Sequence, residues 1–302
     1  MQYRPALPKW TASKGYRVAV SILFGLLGFA VNFIDIELFS SPFFKINILA
    51  GLLFPLLITM AWGWRYGLLS ALAGGTQSMW ALWYSDGYGF LYAVPVFTAW
   101  IVWHGYWADR RRQMQDPRWF HAPFAVEVPF RVVSELGFYT VFRWLVSFNP
   151  PPWDPSIVWD AVPLTWVNTV AAKHTITAFI LLLVAYVVLN LGPVRTSFAL
   201  PPRPADRQVN VIYAVAILTG IGIWAFDSVV SYFAFNPDGQ TLAEIAFLDV
   251  EPYHFFMRNL FIILSLVAGA LVASYTARRH QLQQALRSES ERLDRVMETS
   301  PV

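Results

Sequence analysis

The sequence has no cysteine, and histidine is rare, with 5 copies among 302 residues. The absence of cysteine excludes disulfides, thiolate metal sites and cysteine nucleophiles. No two histidines are four residues apart, so the spacing that brings a pair of haem or metal ligands onto one helix face is missing too. No pairing of a nucleophile with a base stands out either. We therefore expect no metal, no cofactor and no catalytic residue in this chain.

Charged residues are also scarce. They make up 14% of the chain, compared with about 25% in an ordinary soluble protein. Apolar residues make up 56%, and the mean hydropathy is +0.45. This composition predicts an all-α, polytopic membrane protein that is in contact with membrane lipid. The net charge of +3 is modest and gives no reason to expect a nucleic-acid partner.

Long apolar runs are what the sequence has in abundance. A helix that crosses a bilayer needs roughly 20 apolar residues, and eight runs meet that length. The sixth run is ambiguous, since the stretch from Ser156 to Leu191 exceeds one upright helix. It is either one helix or a short interfacial piece containing "WDAVPLTW" followed by a helix. The eight runs lie at about 17–39, 44–62, 66–84, 89–108, 128–148, 164–191, 210–234 and 254–276.

Basic residues are concentrated in every second connection between these runs. The loops between them, such as "YSDGYG" and "NPPPWDP", are acidic or neutral. Because positively charged segments stay on the cytoplasmic side of a membrane, both termini are predicted to be cytoplasmic. The basic residues are Arg4, Lys9, Lys14 and Arg17, then "DRRR" (Asp109 to Arg112), then Arg195, Arg203 and Arg207, and last Arg278 and Arg279.

The proline-rich segment "LPPRPADR" is typical of a linker. It divides the chain into a cytoplasmic N-terminus (1–16), a six-helix membrane module (17–204), a two-helix hairpin (205–276) and a cytoplasmic tail (277–302).

The stretch "EVPFRVVSE" places Glu127, Arg131 and Glu135 on one helix face. Pro129 favours the first turn of a helix, which puts Glu127 at the headgroup boundary with Arg131 within snorkelling reach. Glu135 is then the one acid at depth, with Arg131 as its expected partner. This interpretation predicts that replacing Glu135 with glutamine alters a ligand response more than replacing Glu127.

Other polar and aromatic side chains complete the candidate site for an unidentified small-molecule ligand. Either the aromatic residues around the third run anchor the protein at the membrane interface, or they line a pocket open to the periplasm. His104 is interpreted as interfacial. The candidate ligand-binding residues are Glu135, Arg131, Gln77, Trp80, Trp83, Tyr84 and His174.

The tail has apolar residues at heptad positions, which suits either a short coiled coil or the fraying end of an amphipathic helix. Its ending, "ALRSESERLDRVMETSPV", resembles the connector that leads from a last membrane helix into a PAS domain in bacterial sensor proteins. The heptad positions are Leu282, Leu286, Leu293 and Val296; the residues that carry the resemblance are Leu286, Ser290, Glu291, Arg292, Leu293, Glu298, Ser300 and Pro301.

The last two apolar runs resemble the membrane hairpin that precedes PAS domains in histidine kinases and some diguanylate cyclases. Asp227, His254 and Arg258 match that hairpin. The six-helix module also resembles the substrate-binding subunits of energy-coupling-factor transporters, through its topology and its glycine-rich third run.

The hairpin resemblance implies an input region in the bacterial inner membrane that dimerises through its C-terminal helix. Asp227, His254, Arg258, Leu282, Leu286 and Leu293 would relay the signal to a PAS domain beyond Val302. A kinase output would reach a response regulator only through domains absent from this chain. The alternative is a solute-binding membrane component of a transporter.

Overall fold

A computed structural model describes residues 13–34, 37–41, 44–47, 49–114, 119–148, 150–156, 162–200, 206–235, 239–248 and 252–299. Within these ranges the chain is helical apart from one antiparallel hairpin, in which β1 (Glu37–Ser41) pairs with β2 (Phe44–Asn47). The prediction of an all-α chain is therefore confirmed apart from this hairpin. The chain forms two compact units, Met1–Tyr186 and Val187–Val302.

The first unit contains eight helices within the described ranges. The longest are the first, the fifth and the eighth. Of the short helices, α2 and α3 meet at Gly63, and α4 and α7 are next to 3₁₀ or π turns. The helices are α1 (Lys14–Asn32), α2 (Leu53–Trp62), α3 (Trp64–Ser70), α4 (Met79–Leu82), α5 (Phe90–Gln113), α6 (Pro123–Gly137), α7 (Arg143–Val146) and α8 (Leu164–Val188), the last of which ends in the second unit.

The second unit is an antiparallel pair of long helices preceded by a short one. These are α9 (Gly192–Ser197), α10 (Asp206–Ala234) and α11 (Pro252–Thr299). A π turn, Glu244–Leu248, lies in the connection between α10 and α11. The predicted tail from residue 277 to Thr299 is the continuation of α11, so the eighth apolar run and the tail as far as Thr299 belong to one uninterrupted helix of 48 residues. Ser300 and Pro301, which contribute to the resemblance, lie outside the described residues.

Three helices among the described residues are long and apolar enough to cross a membrane. They are Lys14–Asn32, Trp166–Val188 and Gln208–Ala234, and Ala50–Trp62 is a shorter apolar helix. The prediction of eight spans is therefore confirmed only in part. Two of the other predicted runs are not single continuous helices. Residues 44–47 of the second run belong to the hairpin, and the third run is broken.

The break in the third run follows from its glycines. The run consists of α3, a π turn (Ala71–Gly75) and α4. Gly74 has φ +154°, and a Cβ there would lie 2.8 Å from the carbonyl oxygen of Gly25. Glycine adopts that conformation without strain and lets the backbone of α1 approach closely.

Asn32, at the end of α1, forms hydrogen bonds with residues on both sides of α2 and α3. Its Nδ2 donates to Ser78 Oγ at 2.8 Å, and its Oδ1 accepts from the backbone N–H of Gly51 at 2.8 Å. Gly28, one turn earlier, makes this approach possible, because a Cβ at Gly28 would lie 2.7 Å from the carbonyl oxygen of Gly51.

We expect Gly28→Ala to lower the free energy of unfolding by about 1 to 3 kcal/mol, because the added methyl group meets a backbone atom that has no room to move. Gly15→Ala in the same helix is the matched control, since nothing lies within 4 Å of its Cβ position. It should leave stability unchanged or raise it by up to about 1 kcal/mol. Thermal unfolding of both variants in detergent measures the difference, and equal stabilities would contradict the close packing of α1.

Candidate functional site

Helix α6 buries its polar side chains and exposes its apolar ones. Glu127 is 0% exposed and Arg131 is buried, whereas Val133 is 69% and Leu136 is 61% exposed. Glu127, Arg131 and Ser134 recur at helical spacing and share the inward face. A soluble helix has the opposite arrangement, with its apolar stripe facing the core. The polar side chains of α6 therefore face the interior of the first unit.

The carboxylate of Glu127 accepts hydrogen bonds from three side chains. Trp100 Nε1 and His104 Nε2 each lie 2.7 Å from its Oε2. Arg131 donates from Nε at 2.9 Å and from Nη2 at 2.5 Å, both to Oε1. Because a carboxylate only accepts, His104 must carry its hydrogen on Nε2. Trp100 and His104 are one turn apart on α5, so two helices build a closed ion-pair network.

This network corrects the expected partner of Arg131. Glu127 and His104 are both buried inside the first unit, while their depths in a membrane stay predictions. Arg131 pairs with Glu127, one turn back, while Glu135 accepts a hydrogen bond from Thr175 Oγ1 at 2.6 Å. The error came from taking Pro129 as the helix start.

Pro123 is the residue that occupies the first turn of α6. It precedes Glu127 by four residues, so the helix is already one turn long where the acid occurs. Pro129 lies inside the helix. Either Pro123 or Pro129 suits the first turn of a helix, so the sequence alone did not determine where α6 begins.

His174 of α8 lies in an aromatic box next to this network. Its ring is parallel to that of Phe138, with centroids 5.3 Å apart and an angle of 5°. It also stacks on Trp83 at 5.6 Å and meets Phe97 edge to face at 5.1 Å. These contacts orient the imidazole, but they leave its Nε2 without a hydrogen-bond partner among the described residues.

A small cavity of about 10 Å³ joins the box to the ion-pair network. Its polar lining comes from Arg131, His174 and Thr177, and its apolar lining includes Phe97 and Trp100. Thr177 Oγ1 is buried and, like His174 Nε2, has no hydrogen-bond partner in the described part of the chain. The space suits a single water molecule or one small polar group.

The predicted ligand-binding residues divide into two groups. Arg131, His174 and Trp83 come together at the box and the cavity. Gln77, Trp80, Tyr84 and Glu135 do not line the cavity. Gln77 instead accepts a hydrogen bond from Trp80 Nε1 at 3.0 Å, and Tyr84 packs against Trp153 at 5.5 Å. The candidate ligand-binding residues predicted from the sequence did not include Glu127, Trp100, His104 or Thr177. Two i, i+4 pairs, Trp100 with His104 and Glu127 with Arg131, were the available signal.

In the second unit three of the six predicted relay residues come together, because His254 and Arg258 both contact the carboxylate of Asp227. Arg258 donates from Nε to Asp227 Oδ2 at 2.6 Å, and His254 Nδ1 lies 3.3 Å from the same oxygen. Arg258 is 1% exposed and also donates from Nη1 to the carbonyl oxygen of Ile245 at 2.8 Å. The cluster ties α10, α11 and the π turn between them to one another.

The three relay leucines, Leu282, Leu286 and Leu293, lie far along α11 and are exposed. No group of three His, Asp or Glu side chains in the described ranges is arranged to hold a metal ion. Comparisons of the chain with protein-family models, with curated proteins and with solved structures gave no match.

Proposed function

We propose that the chain is the membrane-embedded input region of a signalling protein, with eight spans and both termini in the bacterial cytoplasm. The inward polar face of α6 supports membrane embedding, because lipid accepts the exposed Val133 and Leu136 and rejects charges. Residues 259–276 within α11 include no charged residue, which suits a further span. The basic last turn of α5 and the pair Arg278–Arg279, which follows the apolar part of α11, agree with the orientation.

The sensing element is the cavity among Arg131, His174 and Thr177. Two buried polar atoms without partners favour a ligand that hydrogen-bonds to them, since an unsatisfied buried group costs about 1 to 3 kcal/mol. A ligand larger than one water molecule would require α8 to move against α5 and α6. Such a ligand stabilises one of two helix arrangements, which is the basis of a sensor response.

The continuity of α11 is the observation that carries the signalling proposal. At 1.5 Å per residue, the 48 residues of α11 extend about 70 Å in all, of which about 60 Å lie between Arg258 and Thr299. A shift or rotation at the membrane end would therefore reach the exposed leucines without a break. Those leucines suit a parallel homodimer, and the resemblance of the tail suggests a PAS domain and a kinase or cyclase beyond it.

The competing proposal is a solute-binding membrane component of a transporter. It rests on the resemblance of the six-helix module to energy-coupling-factor subunits. A transporter component would use the cavity in the same way, but it has no need for a membrane helix that continues 23 residues beyond residue 276 to Thr299. The two proposals therefore differ in what they require of the tail.

The phase of the tail helix provides the test. Two alanines inserted after Arg279 rotate the helix beyond them by about 200°, whereas a seven-residue insertion keeps the heptad phase. In the protein extended through its output domain, we expect the two-residue insertion to change phosphorylation or cyclic-dinucleotide formation several-fold. The seven-residue insertion should stay within twofold of the unaltered protein.

Equal output from both insertions would remove the relay proposal. Solute uptake that is insensitive to either insertion, or a reading frame that closes at Val302, would favour the transporter.

A further inference from the structure

A groove of about 440 Å³ lies at one end of the first unit, between the end of α2, the start of α3 and the end of α5. It combines aromatic rings with arginines, and Asp109 is its one acidic residue. The lining residues that matter are Trp62, Trp64, Arg65, Tyr66, Tyr106 and Arg110.

The charge of Asp109 is already used within the protein. Its Oδ1 accepts from Arg112 Nη2 at 2.9 Å, and its Oδ2 accepts from the backbone N–H of Trp64 at 3.2 Å. Arg112 is engaged further, because its Nη1 donates to the carbonyl oxygen of Ala61 at 2.7 Å. The acid of the groove and its neighbouring arginine therefore neutralise each other.

Arg65 and Arg110 are left as the cations of the groove. Both are exposed, and neither forms a hydrogen bond or an ion pair within the described part of the chain. Arg65 lies over the ring of Trp64, with its Cζ 5.4 Å from the centroid. This stacking holds the guanidinium at the mouth of the groove while its N–H groups stay available to an anion.

The surroundings of the groove are basic and aromatic as well. Arg17 of α1 lies over the ring of Trp62, 5.9 Å from its centroid, and Arg111 follows Arg110 in the last turn of α5. Tyrosine and tryptophan collect at the depth of lipid headgroups, and basic pockets between membrane helices on the cytoplasmic side attract anionic headgroups.

We propose that this groove binds the phosphodiester headgroup of an anionic phospholipid, with Arg65 and Arg110 on the phosphate and the aromatic rings beside the glycerol. The proposal rests on the membrane topology under "Proposed function" but not on signalling. A soluble phosphate ion needs the two arginines alone, whereas a lipid also uses Trp62, Tyr66 and Tyr106. The aromatic lining therefore favours the lipid.

The test is a lipid titration of the purified chain in detergent, followed by native mass spectrometry. Phosphatidylglycerol should bind, and phosphatidylcholine, which has no net charge, should bind at least tenfold more weakly. The double variant Arg65→Gln/Arg110→Gln should lose tenfold or more in affinity for phosphatidylglycerol, since it removes both guanidinium groups that contact the phosphate in the groove.

Arg278→Gln/Arg279→Gln is the matched control, because it removes the same charge at two positions outside the groove. It should change the affinity by less than twofold. Equal binding of both lipids, or equal losses in both double variants, would overturn the proposal. Displacement of phosphatidylglycerol by millimolar inorganic phosphate would overturn it too, in favour of a soluble phosphate-bearing ligand.

Thermal unfolding of each variant confirms that the fold is retained. The binding assay measures no signalling output. A negative result in the lipid assay therefore does not bear on the relay proposal. A negative result in the insertion experiment does not bear on lipid binding.

Discussion

Replacing Glu127 with alanine will lower the free energy of unfolding by about 3 to 5 kcal/mol, the usual loss when one partner of a buried ion pair is removed. The substitution takes away the acceptor for Trp100, His104 and Arg131 at once. Arg131 would then be a buried cation without a counter-charge. Reversible unfolding in mixed micelles, or the thermal midpoint in detergent, measures the loss.

Two further substitutions separate charge from hydrogen bonding. Glu127→Gln keeps one acceptor oxygen but leaves Arg131 uncompensated, so it should fall between alanine and the unaltered protein. Glu135→Gln is the matched control on the same helix. It weakens a single hydrogen bond from Thr175, which is worth about 1 kcal/mol. A Glu127→Ala variant within 1 kcal/mol of the unaltered protein, or equal effects of the two glutamine variants, would show that the network is not buried as described.

The sequence analysis ranked Glu135 above Glu127 for a ligand response, whereas for stability we expect Glu127 to have the larger effect. The reason is that Glu127 is enclosed by α5 and α6, while Glu135 is half-buried and has a neutral partner.

Replacing Asp227 with asparagine will destabilise the second unit by about 2 kcal/mol, at the lower end of the range for truncated buried charge pairs. Asp227 is one-third exposed, so water offsets part of the loss, but Arg258 is not exposed enough to be rehydrated. Thermal unfolding measures the change. The double variant Asp227→Leu/Arg258→Leu should recover most of the lost stability, because an apolar pair leaves no buried charge.

The exposed pair Glu289–Arg292 on α11 provides the control for that experiment. Its atoms are 3.8 Å apart and both side chains are largely exposed. Glu289→Gln should change stability by less than about 0.5 kcal/mol. If Glu289→Gln and Asp227→Asn were equally destabilising, the Asp227–Arg258 pair would contribute no more to stability than an exposed ion pair does.

The sequence was sufficient to predict most helix positions, because composition and apolar length are local properties. The runs predicted at about 89–108, 164–191 and 210–234 correspond to α5, α8 and α10, with ends displaced by a few residues. The start of the eighth run, at residue 254, is two residues from the start of α11. The break at Gly74 was not predicted, because glycine in a membrane helix indicates close packing as readily as a bend.

The side-chain partners were harder to predict, because they depend on how helices rotate against one another. Trp100 and Glu127 are 27 residues apart, and His174 meets Trp83 across a still longer separation. Nothing in the local sequence states which face of α5 opposes which face of α6. Asp227, His254 and Arg258 were singled out through the resemblance, but no contact among them was predicted. Their relay role stays a prediction.

The inward charges of α6 also bear on how the protein is made. In the proposed topology α6 crosses the bilayer. A translocon inserts an arginine at the centre of a span with a penalty of about 2.5 to 3.5 kcal/mol, and an isolated glutamate is costly as well, so α6 alone is a poor membrane helix. Its partners Trp100 and His104 belong to α5, which is synthesised first. We therefore expect α6 to insert into the membrane only when α5 is present. A ribosome-bound chain that lacks α5 should leave α6 outside the bilayer.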